Sequence, residues 1–337
     1  MAKVHPRHIV AAQVSNTARA LRSTATFLLA SAILWSCDSS TGPSNRTPAD
    51  AQFITSDIPL FWQAFDQIKS ITDTVVLRRD YLDRGTQGLQ DFTGLRWKNA
   101  TTLTQAVWTR RGYYSSIRST SLNVQALGPQ FRKVYQALDT LIDNPVFPDV
   151  YFVIGAMGTG GTTSPHGLLI GTELFSASSG SPTTELTPWQ KSVIRPPTIL
   201  PAIVAHELVH YQQHYQSGTT LLGIAIREGC ADFIGEILSG QTINESIRMY
   251  GDAHEPTLWN EFKSEMGGTD ISRWLYNGGT ITETSGRPAD LGYYIGARIC
   301  ESYFAKAADK HKAIEGILNI GDFEAFLQQS GYSGTSP

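Results

Sequence analysis

Residues 206–214 read HELVHYQQH, inside the largely apolar stretch ILPAIVAHELVHYQQHYQS (199–217). The stretch is predicted to be a helix that ends at Gly218. Two helical side chains four positions apart are separated by about 40° around the axis and about 6 Å along it, so His206 and His210 can direct their imidazoles at one point. The spacing predicts a metal site, although a pair of core histidines on an apolar helix gives the same pattern.

A third ligand decides between these two interpretations, because a catalytic zinc site needs three protein ligands and an open position. A third histidine on the same helix is excluded, since Gln213 and Gln216 stand where that pattern requires glycine and histidine. Glu228 is available instead, on a second predicted helix, IAIREGCADFIGEILS (224–239), that can pack across the first. The predicted Zn²⁺ ligands are His206, His210 and Glu228.

Two further acidic residues have positions that suit zinc chemistry. Glu207 follows the first histidine, about 100° around the helix, where it can act as a general base on a water without binding the metal. Asp232 lies four residues after Glu228 on the same helical face, which suits a carboxylate that accepts the free N–H of a zinc-bound histidine. The alternative, a solvated acidic face, has to account for apolar neighbours such as Ile226 and Phe233.

HELVH followed by EGCAD resembles the gluzincin metallopeptidases, the thermolysin-like class that binds zinc through two histidines and a downstream glutamate. Three further segments extend the likeness: SDIPLFWQAFD (56–66), GGTTSPHGLLIGTELF (160–175) and DLGYYIGARI (290–299). Together with the metal motifs they resemble the predicted zinc-dependent proteases related to gliding-motility lipoproteins. The resemblance covers most of residues 55–335. Members of the gliding-related branch can lack the metal motif, which this chain retains.

The resemblance implies a fold, a substrate class and a further catalytic group. The implied fold is α+β and predominantly helical, a zincin-like core with a small mixed sheet beside the two metal-bearing helices. The implied substrate is a peptide or protein. Such enzymes often stabilise the oxyanion with a tyrosine or histidine. Tyr293 and Tyr294 are the first candidates and His254 the next, although all three are also compatible with plain structural roles.

The domain organisation is predicted as one domain over 55–337, with a helical part at 55–145, the sheet and zinc helices at 146–240, and a helical part at 241–337. In the middle part, DVYFVIGA (149–156) and GLLIGTELFS (167–176) are predicted strands. The glycine-rich segment between them, 157–166, is predicted to be a loop. The second strand is expected to form the sheet edge that aligns an extended peptide by main-chain pairing.

The first 36 residues have the composition of an export signal. Four Lys or Arg and no acidic residue precede or enter the apolar run ATFLLASAILW (25–35). The run is about half as long as the roughly 20 residues that a helix needs to span a bilayer. The protein is therefore predicted to be exported, with residues 1–36 as a signal peptide.

The apolar run ends in LWSC (34–37), which resembles the lipobox of bacterial lipoproteins. Cys37 is then the lipidated anchor of a membrane lipoprotein at the cell envelope, and residues 37–54 are a flexible tether. Trp35 departs from the pattern, because a smaller residue is usual there. Cleavage after ASA (30–32), with release of a soluble protein, is the alternative.

Formal charge excludes nucleic acid as an expected partner. The chain has 27 Lys and Arg against 30 Asp and Glu, a net charge of −3. Loss of the four basic residues in the signal leaves 23 − 30 = −7, and a negative chain does not attract a phosphate backbone.

Cys230 and Cys300 either pair in an oxidising compartment or remain buried thiols. The oligomeric state stays open.

Three functions are compatible with these patterns. The first is a zinc-dependent peptidase that hydrolyses peptide bonds at the bacterial cell envelope, with Glu207 as its general base. The second is a non-catalytic envelope or gliding-type lipoprotein that binds partners on the same scaffold. The third is a zinc hydrolase of a non-peptide amide. Metal content separates the first from the second, and substrate profiling separates the first from the third.

Overall fold

Helices make up most of the residues that the structure describes, in agreement with the helical spacing of the apolar residues. The computed structural model describes residues 47–215, 217–280 and 286–335, and these ranges contain fourteen α-helices. The α-helices are α1 (Asp57–Phe65), α2 (Thr74–Asp80), α3 (Gln87–Phe92), α4 (Ala100–Thr109), α5 (Arg111–Ser116), α6 (Arg118–Leu122), α7 (Gly128–Leu141), α8 (Pro188–Val193), α9 (Leu200–Gln212), α10 (Leu221–Ser239), α11 (Glu245–Glu265), α12 (Leu291–Lys306), α13 (Lys310–Leu318) and α14 (Phe323–Ser330). Shorter turns are the 3₁₀-helices Leu82–Arg84, Val124–Leu127, Thr172–Phe175, Pro197–Ile199 and Gly278–Thr280, and the π-helix Thr93–Trp97.

A small four-stranded sheet accompanies the helices. Its strands are β1 (Phe53–Ile54), β2 (Asp149–Val153), β3 (Gly161–Ser164) and β4 (Gly167–Gly171), in the spatial order β1-β2-β4-β3. β1 and β4 both run parallel to β2, and β3 runs antiparallel to β4. The mixed sheet and the many helices confirm the α+β expectation.

One edge of this sheet differs from the expectation. β4 is paired on both sides and buried along its length, and the edge is β3, inside the predicted loop 157–166. The expectation that GLLIGTELF forms the edge is therefore wrong. The sequence of β3 is GTTS, which lacks the alternation of apolar and polar residues by which a strand is recognised.

The sheet also begins earlier along the chain than expected. β1 lies in the predicted tether 37–54, and its Phe53 pairs with Val150. The Phe53 ring contacts the Phe131 ring at 5.4 Å between centroids, and Ala51 is fully buried. The folded part of the chain therefore starts within the predicted tether.

Three helices, α9, α10 and α12, pack at close range, with α10 in contact with both others. Gly296 of α12 lies against the backbone of α10, because a Cβ on Gly296 would overlap the Ala225 carbonyl oxygen. Gly229 of α10 makes the matching approach to α12, so the close backbone contact predicted at Gly229 is made with this helix. Gly235 faces α9, where an added Cβ would lie 3.2 Å from the main-chain nitrogen of His206.

The bounds of the two helices that carry the predicted metal ligands match the expectation in part. α10 ends at Ser239, and Gly240 adopts the left-handed conformation, with φ of 72°, that a C-terminal glycine favours. α9 ends at Gln212, before the predicted stop at Gly218, because Gln213 leaves the helix with an extended backbone.

Two expectations concern the membrane and the cysteines. Among the described residues, no helix combines the length and the apolar character needed to cross a membrane. Cys230 and Cys300 are buried free thiols and do not form the disulfide that was the other possibility. The predicted signal peptide, Cys37 and most of the predicted tether lie outside the described residues.

Candidate metal centre

Three potential metal ligands converge from α9 and α10. His206 and His210 lie one turn apart on α9, and Glu228 faces them from α10. One nitrogen or oxygen atom of each side chain lies within 4.8 Å of the other two. The three side chains are 9%, 7% and 6% exposed, in that order. The structure thus brings together the three residues predicted as ligands.

The spacing of these atoms suits a tetrahedral zinc ion. His206 Nε2 and His210 Nε2 are 3.1 Å apart, and Glu228 Oε2 lies 3.2 Å from the latter and 3.8 Å from the former. Zinc holds nitrogen and oxygen at about 2.0–2.2 Å, which sets two tetrahedral ligands about 3.3–3.6 Å apart. Two imidazoles and one carboxylate leave a fourth position for water or substrate, as in catalytic zinc sites.

The outer nitrogen of His206 is held by a carboxylate. His206 Nδ1 lies 2.8 Å from Asp232 Oδ1, and Asn244 Nδ2 donates to Asp232 Oδ2 at 2.6 Å. Because a carboxylate only accepts, Nδ1 of His206 carries the hydrogen. Nε2 then presents a lone pair to the site, which is the arrangement of a carboxylate that orients a zinc-bound histidine. Asp232 stands where the sequence predicts this carboxylate.

The outer nitrogen of His210 is held by Gln213, which sequence reasoning passed over. Gln213 Nε2 donates to the main-chain carbonyl of Arg227 at 2.8 Å, and this bond fixes the orientation of the amide. Gln213 Oε1 therefore faces His210 Nδ1, at 2.9 Å, and accepts its hydrogen. His210 Nε2 is left with a lone pair, as in His206.

Both Nε2 atoms therefore direct lone pairs at each other across 3.1 Å. Two such acceptors are stable only with a proton or a cation between them. In the metal-free protein, burial lowers the pKa of His206, but the hydrogen bond to Asp232 and the charges of the nearby carboxylates outweigh it and raise the pKa to about 9. The site is electrostatically suited to hold positive charge at this point.

Glu207 stands beside the ligands without joining them. Its side chain lies against β3, where a Cβ on Gly161 would overlap Glu207 Oε1. The carboxylate thus has space only because this strand position is glycine. Within the described ranges, no hydrogen bond or ion pair engages the Glu207 carboxylate, and the residue is 8% exposed. Its oxygens are free to accept a hydrogen bond.

Tyr276 is a further component of the site. Its hydroxyl donates to Glu228 Oε1 at 2.8 Å, which leaves Oε2 to face the histidines. The backbone of Tyr276 has a φ of 54°, a conformation that is uncommon for a residue with a bulky side chain. The turn is held by Asn277 and Asp290, each of which accepts from the main-chain N–H of the other. Sequence reasoning missed Tyr276 because it lies in an irregular loop without a local motif.

Comparison with known protein families identifies the chain. The profile described as gliding motility protein GldB matches residues 54–334. The chain belongs to the GldB family. Neither the curated proteins nor the solved structures contain a match.

Membership of this gliding motility lipoprotein family supports a membrane-anchored envelope lipoprotein, as the LWSC pattern predicts. The family match does not test zinc binding or peptidase activity. The zincin-like core therefore stays a prediction.

The three predicted oxyanion donors of this GldB family protein have different surroundings. The Tyr293 ring stacks beside His206, with 6.3 Å between ring centroids. Tyr294, one position and about 100° further around α12, donates instead to Asp252 at 3.0 Å. His254 is exposed, and its Nδ1 donates to a main-chain carbonyl one helical turn earlier. In the described part of the chain, no hydrogen bond or ring contact joins Tyr294 or His254 to the ligands.

Proposed function

We propose that this GldB family protein binds one Zn²⁺ through His206, His210 and Glu228 and hydrolyses peptide bonds at the bacterial cell envelope. The observation that carries the proposal is the pair of Nε2 atoms 3.1 Å apart, each turned inward by an acceptor on its outer nitrogen, Asp232 or Gln213. Two neutral core histidines would instead adopt tautomers that let one Nε2–H donate to the other.

The chemistry divides between the metal and the protein. Bound zinc polarises a carbonyl group and lowers the pKa of a water that it binds. Glu207 accepts a proton from the attacking water and passes it to the leaving amine. The absence of a side chain at Gly161 lets the Glu207 carboxylate stand at the sheet edge, beside the position of an extended substrate.

Tyr276 is the hydroxyl best placed to stabilise the oxyanion. Its hydroxyl lies 2.8 Å from Glu228 Oε1, beside the ligand cluster, whereas the hydroxyl of Tyr294 lies against Asp252, which is not one of the predicted ligands. Burial and the neighbouring Glu228 raise the pKa of Tyr276 well above its usual value, so the group remains a hydrogen-bond donor at neutral pH. Tyr293, beside His206, is the second candidate.

β3 offers main-chain groups to an extended peptide. Gly171 N donates to Gly160 O, just before β3. In the antiparallel register, the even-numbered residues of β3 therefore direct their main-chain N–H and C=O groups to β4. Gly161 and Thr163 therefore direct their main-chain groups to the open edge. The groups available to a peptide are the N–H of Gly161 and both groups of Thr163, because the Gly161 carbonyl accepts from Thr159 Oγ1 and Arg96. A peptide strand added at this edge passes the Glu207 carboxylate, because Gly161 borders it.

The test measures bound metal and hydrolysis in the same samples. The purified protein is expected to contain one zinc per chain and to cleave a mixed peptide library in a manner that a chelator abolishes. Glu207→Gln should retain zinc and lose hydrolysis. Glu236→Gln is the matched control, because Glu236 is exposed on α10, and it should retain both. Full hydrolysis by the Glu207 variant would remove Glu207 from the mechanism, and absence of zinc would remove the proposal.

A second function is favoured by the family match itself. A gliding motility lipoprotein fits a non-catalytic envelope protein that binds partners, in which zinc would only join α9 to α10. The family match favours this alternative, whereas the unengaged Glu207 carboxylate and the open ligand position favour catalysis. A wild-type protein that holds zinc, cleaves no peptide of the library and is required for gliding would establish the second function.

A further inference from the structure

A positively charged side chain lies at the open edge of β3. Arg96 belongs to the π-helix Thr93–Trp97. Such wide turns are rare in proteins overall, and those that occur are often found at functional sites. Trp97 anchors this turn, since its ring packs on Phe92 with 4.9 Å between centroids. From the turn, the Arg96 guanidinium reaches the sheet, where Nη2 donates to the Gly161 carbonyl at 3.4 Å.

The guanidinium of Arg96 is only partly satisfied. Its Nε is shielded from solvent and has no hydrogen-bond partner, and the bond from Nη2 is long. No carboxylate of the described residues forms an ion pair with Arg96. Arg227, by contrast, lies 3.6 Å from Glu228 Oε1. A shielded charged donor without a partner is costly, and a bound carboxylate satisfies such a donor well.

Arg96 lies beside one of the proposed catalytic groups. Its Nη2 contacts the carbonyl of Gly161, and Gly161 is the strand residue that borders the Glu207 carboxylate. An anion bound by Arg96 therefore lies next to the bond that is hydrolysed.

The direction of β3 indicates which end of a peptide meets Arg96. A substrate that pairs antiparallel with β3 has its N-terminal part near Ser164 and its C-terminal part near Gly161. The Gly161 carbonyl accepts from Thr159 Oγ1 at 3.0 Å and, over the longer distance of 3.4 Å, from Arg96 Nη2, so it is a poor acceptor for a further peptide N–H. Main-chain pairing is therefore expected to end at Gly161, beside the guanidinium.

We propose that Arg96 binds the free C-terminal carboxylate of a peptide substrate. The proposal rests on the proposed function and narrows it to a carboxypeptidase. Gly161 touches both Arg96 and Glu207, and a strand rises about 3.3 Å per residue, so the hydrolysed bond lies roughly one or two residues from the C-terminus.

Peptide binding to the zinc-loaded Glu207→Gln protein, measured by calorimetry, tests the proposal without hydrolysis. The probes are N-acetyl-trialanine as the free acid, the same peptide as its C-terminal amide, and a peptide amide that ends in aspartate. The free acid is expected to bind roughly tenfold or more tightly than the first amide, because charge-assisted hydrogen bonds are the stronger ones. Adding Arg96→Gln should abolish the difference, and adding Arg96→Lys should retain part of it.

The matched control is Arg78→Gln, which removes an exposed arginine of α2 and should leave the preference intact. Circular dichroism verifies that each variant is folded. If Arg96→Gln does not fold, Arg96→Lys replaces it in the comparison of acid and amide. The proposal is overturned by any of four results: equal affinity for acid and amide, a difference that survives Arg96→Gln, tighter binding of the aspartate amide than of the free acid, or no binding of any probe.

Failure of the proposed function is distinguishable from failure of this inference. If the protein binds no zinc, the proposed function is contradicted. The peptide-binding calorimetry can then be repeated on the metal-free protein, and it still tests the role of Arg96. Zinc-dependent hydrolysis at equal rates for acid and amide peptides leaves the proposed function in place and removes the role of Arg96.

Discussion

The Tyr276 hydroxyl is the smallest feature on which the proposed chemistry depends. Tyr276→Phe removes only the oxygen that donates to Glu228 Oε1 at 2.8 Å. We expect kcat to fall about 10²–10³-fold, as for loss of one oxyanion donor, with KM and zinc content close to those of the wild type. Steady-state kinetics on a peptide substrate, with metal analysis of the same sample, checks this expectation.

Tyr294→Phe is the matched control for this variant, because its hydroxyl donates to Asp252 outside the ligand cluster. We expect its kcat to equal that of the wild type. A larger loss in Tyr294→Phe than in Tyr276→Phe would return the oxyanion role to the residue predicted from sequence. Loss of zinc from Tyr276→Phe would instead show that the hydroxyl orients the Glu228 carboxylate.

Glu173 is a buried acid that makes the stability of the protein depend on pH. Its carboxylate accepts from the main-chain N–H groups of Gly155 and Met157 at 2.8 and 3.0 Å. Burial nevertheless raises its pKa from 4.5 to about 7. The folded protein therefore holds this proton more tightly than the unfolded chain. The resulting stabilisation is fully present below the unfolded pKa and is lost as the pH rises through the folded one.

Glu173→Gln removes this titration. As the pH rises from 4.5 to about 7, we expect the free energy of unfolding of the wild type to fall relative to that of the variant. The slope is at most about 1.4 kcal/mol per pH unit. Urea unfolding of both proteins at a series of pH values measures it, and parallel pH profiles would contradict it.

Residue-scale prediction from the sequence succeeded where the geometry is local. The spacing of His206 and His210 defines their approach within one helix, so the pair is predictable from the pattern alone. Gln213 is not predictable in this way. Its amide is oriented by the Arg227 carbonyl, and this partner is near only after α9 and α10 have packed.

At the scale of elements, the crossing of α10 and α12 positions Glu228. Gly296→Ala places a Cβ where it overlaps the Ala225 carbonyl of α10, so the two helices have to separate. We expect a loss of roughly 1–3 kcal/mol in the free energy of unfolding, as for overpacking of a core, together with weaker zinc binding. Urea unfolding and zinc titration of the variant measure the two effects.

Gly128→Ala is the control for this substitution, because a Cβ added there meets no heavy atom within 4 Å beyond its chain neighbours and the backbone of its own helix. Gly128 is the first residue of α7, and alanine is the better helix former. Its stability should equal or exceed that of the wild type. A Gly296→Ala protein as stable as Gly128→Ala, with unchanged zinc affinity, would show that the helix contact is not required for the site.

Element-scale prediction was accurate for the two helices that carry the predicted ligands and for two of the four strands, since β2 and β4 lie within the predicted strands 149–156 and 167–176. The sequence identified α9 and α10, because the residues of each helix carry the helical pattern within one continuous stretch. β1 and β3 were missed, since their few residues carry no such pattern. β1 becomes a strand by pairing with β2, which is distant in the sequence. β3 becomes a strand by pairing with β4 across a short turn. Neither partner can be recognised from the local sequence.

At the scale of the whole molecule, bound zinc is expected to stabilise the fold, because its ligands come from two separate helices. Zinc at 100 times its Kd should add about 2.7 kcal/mol to the free energy of unfolding. Thermal unfolding with zinc and with a chelator measures the effect as a higher Tm in zinc. Glu228→Gln should lose the difference, since it removes one ligand. An equal Tm in zinc and chelator for the wild type would contradict the site.

The sequence by itself determined the helical class and the pair of histidines with Glu228 downstream, because each depends on local spacing or composition; the export signal stays a prediction from composition. Only the tertiary structure decided which groups surround that centre. Gln213, Tyr276, Arg96 and the edge strand β3 all acquire their positions from partners on other elements. A hydrogen bond or a sheet edge between distant segments leaves no periodic signal in either one, so these components became visible only once the chain was folded.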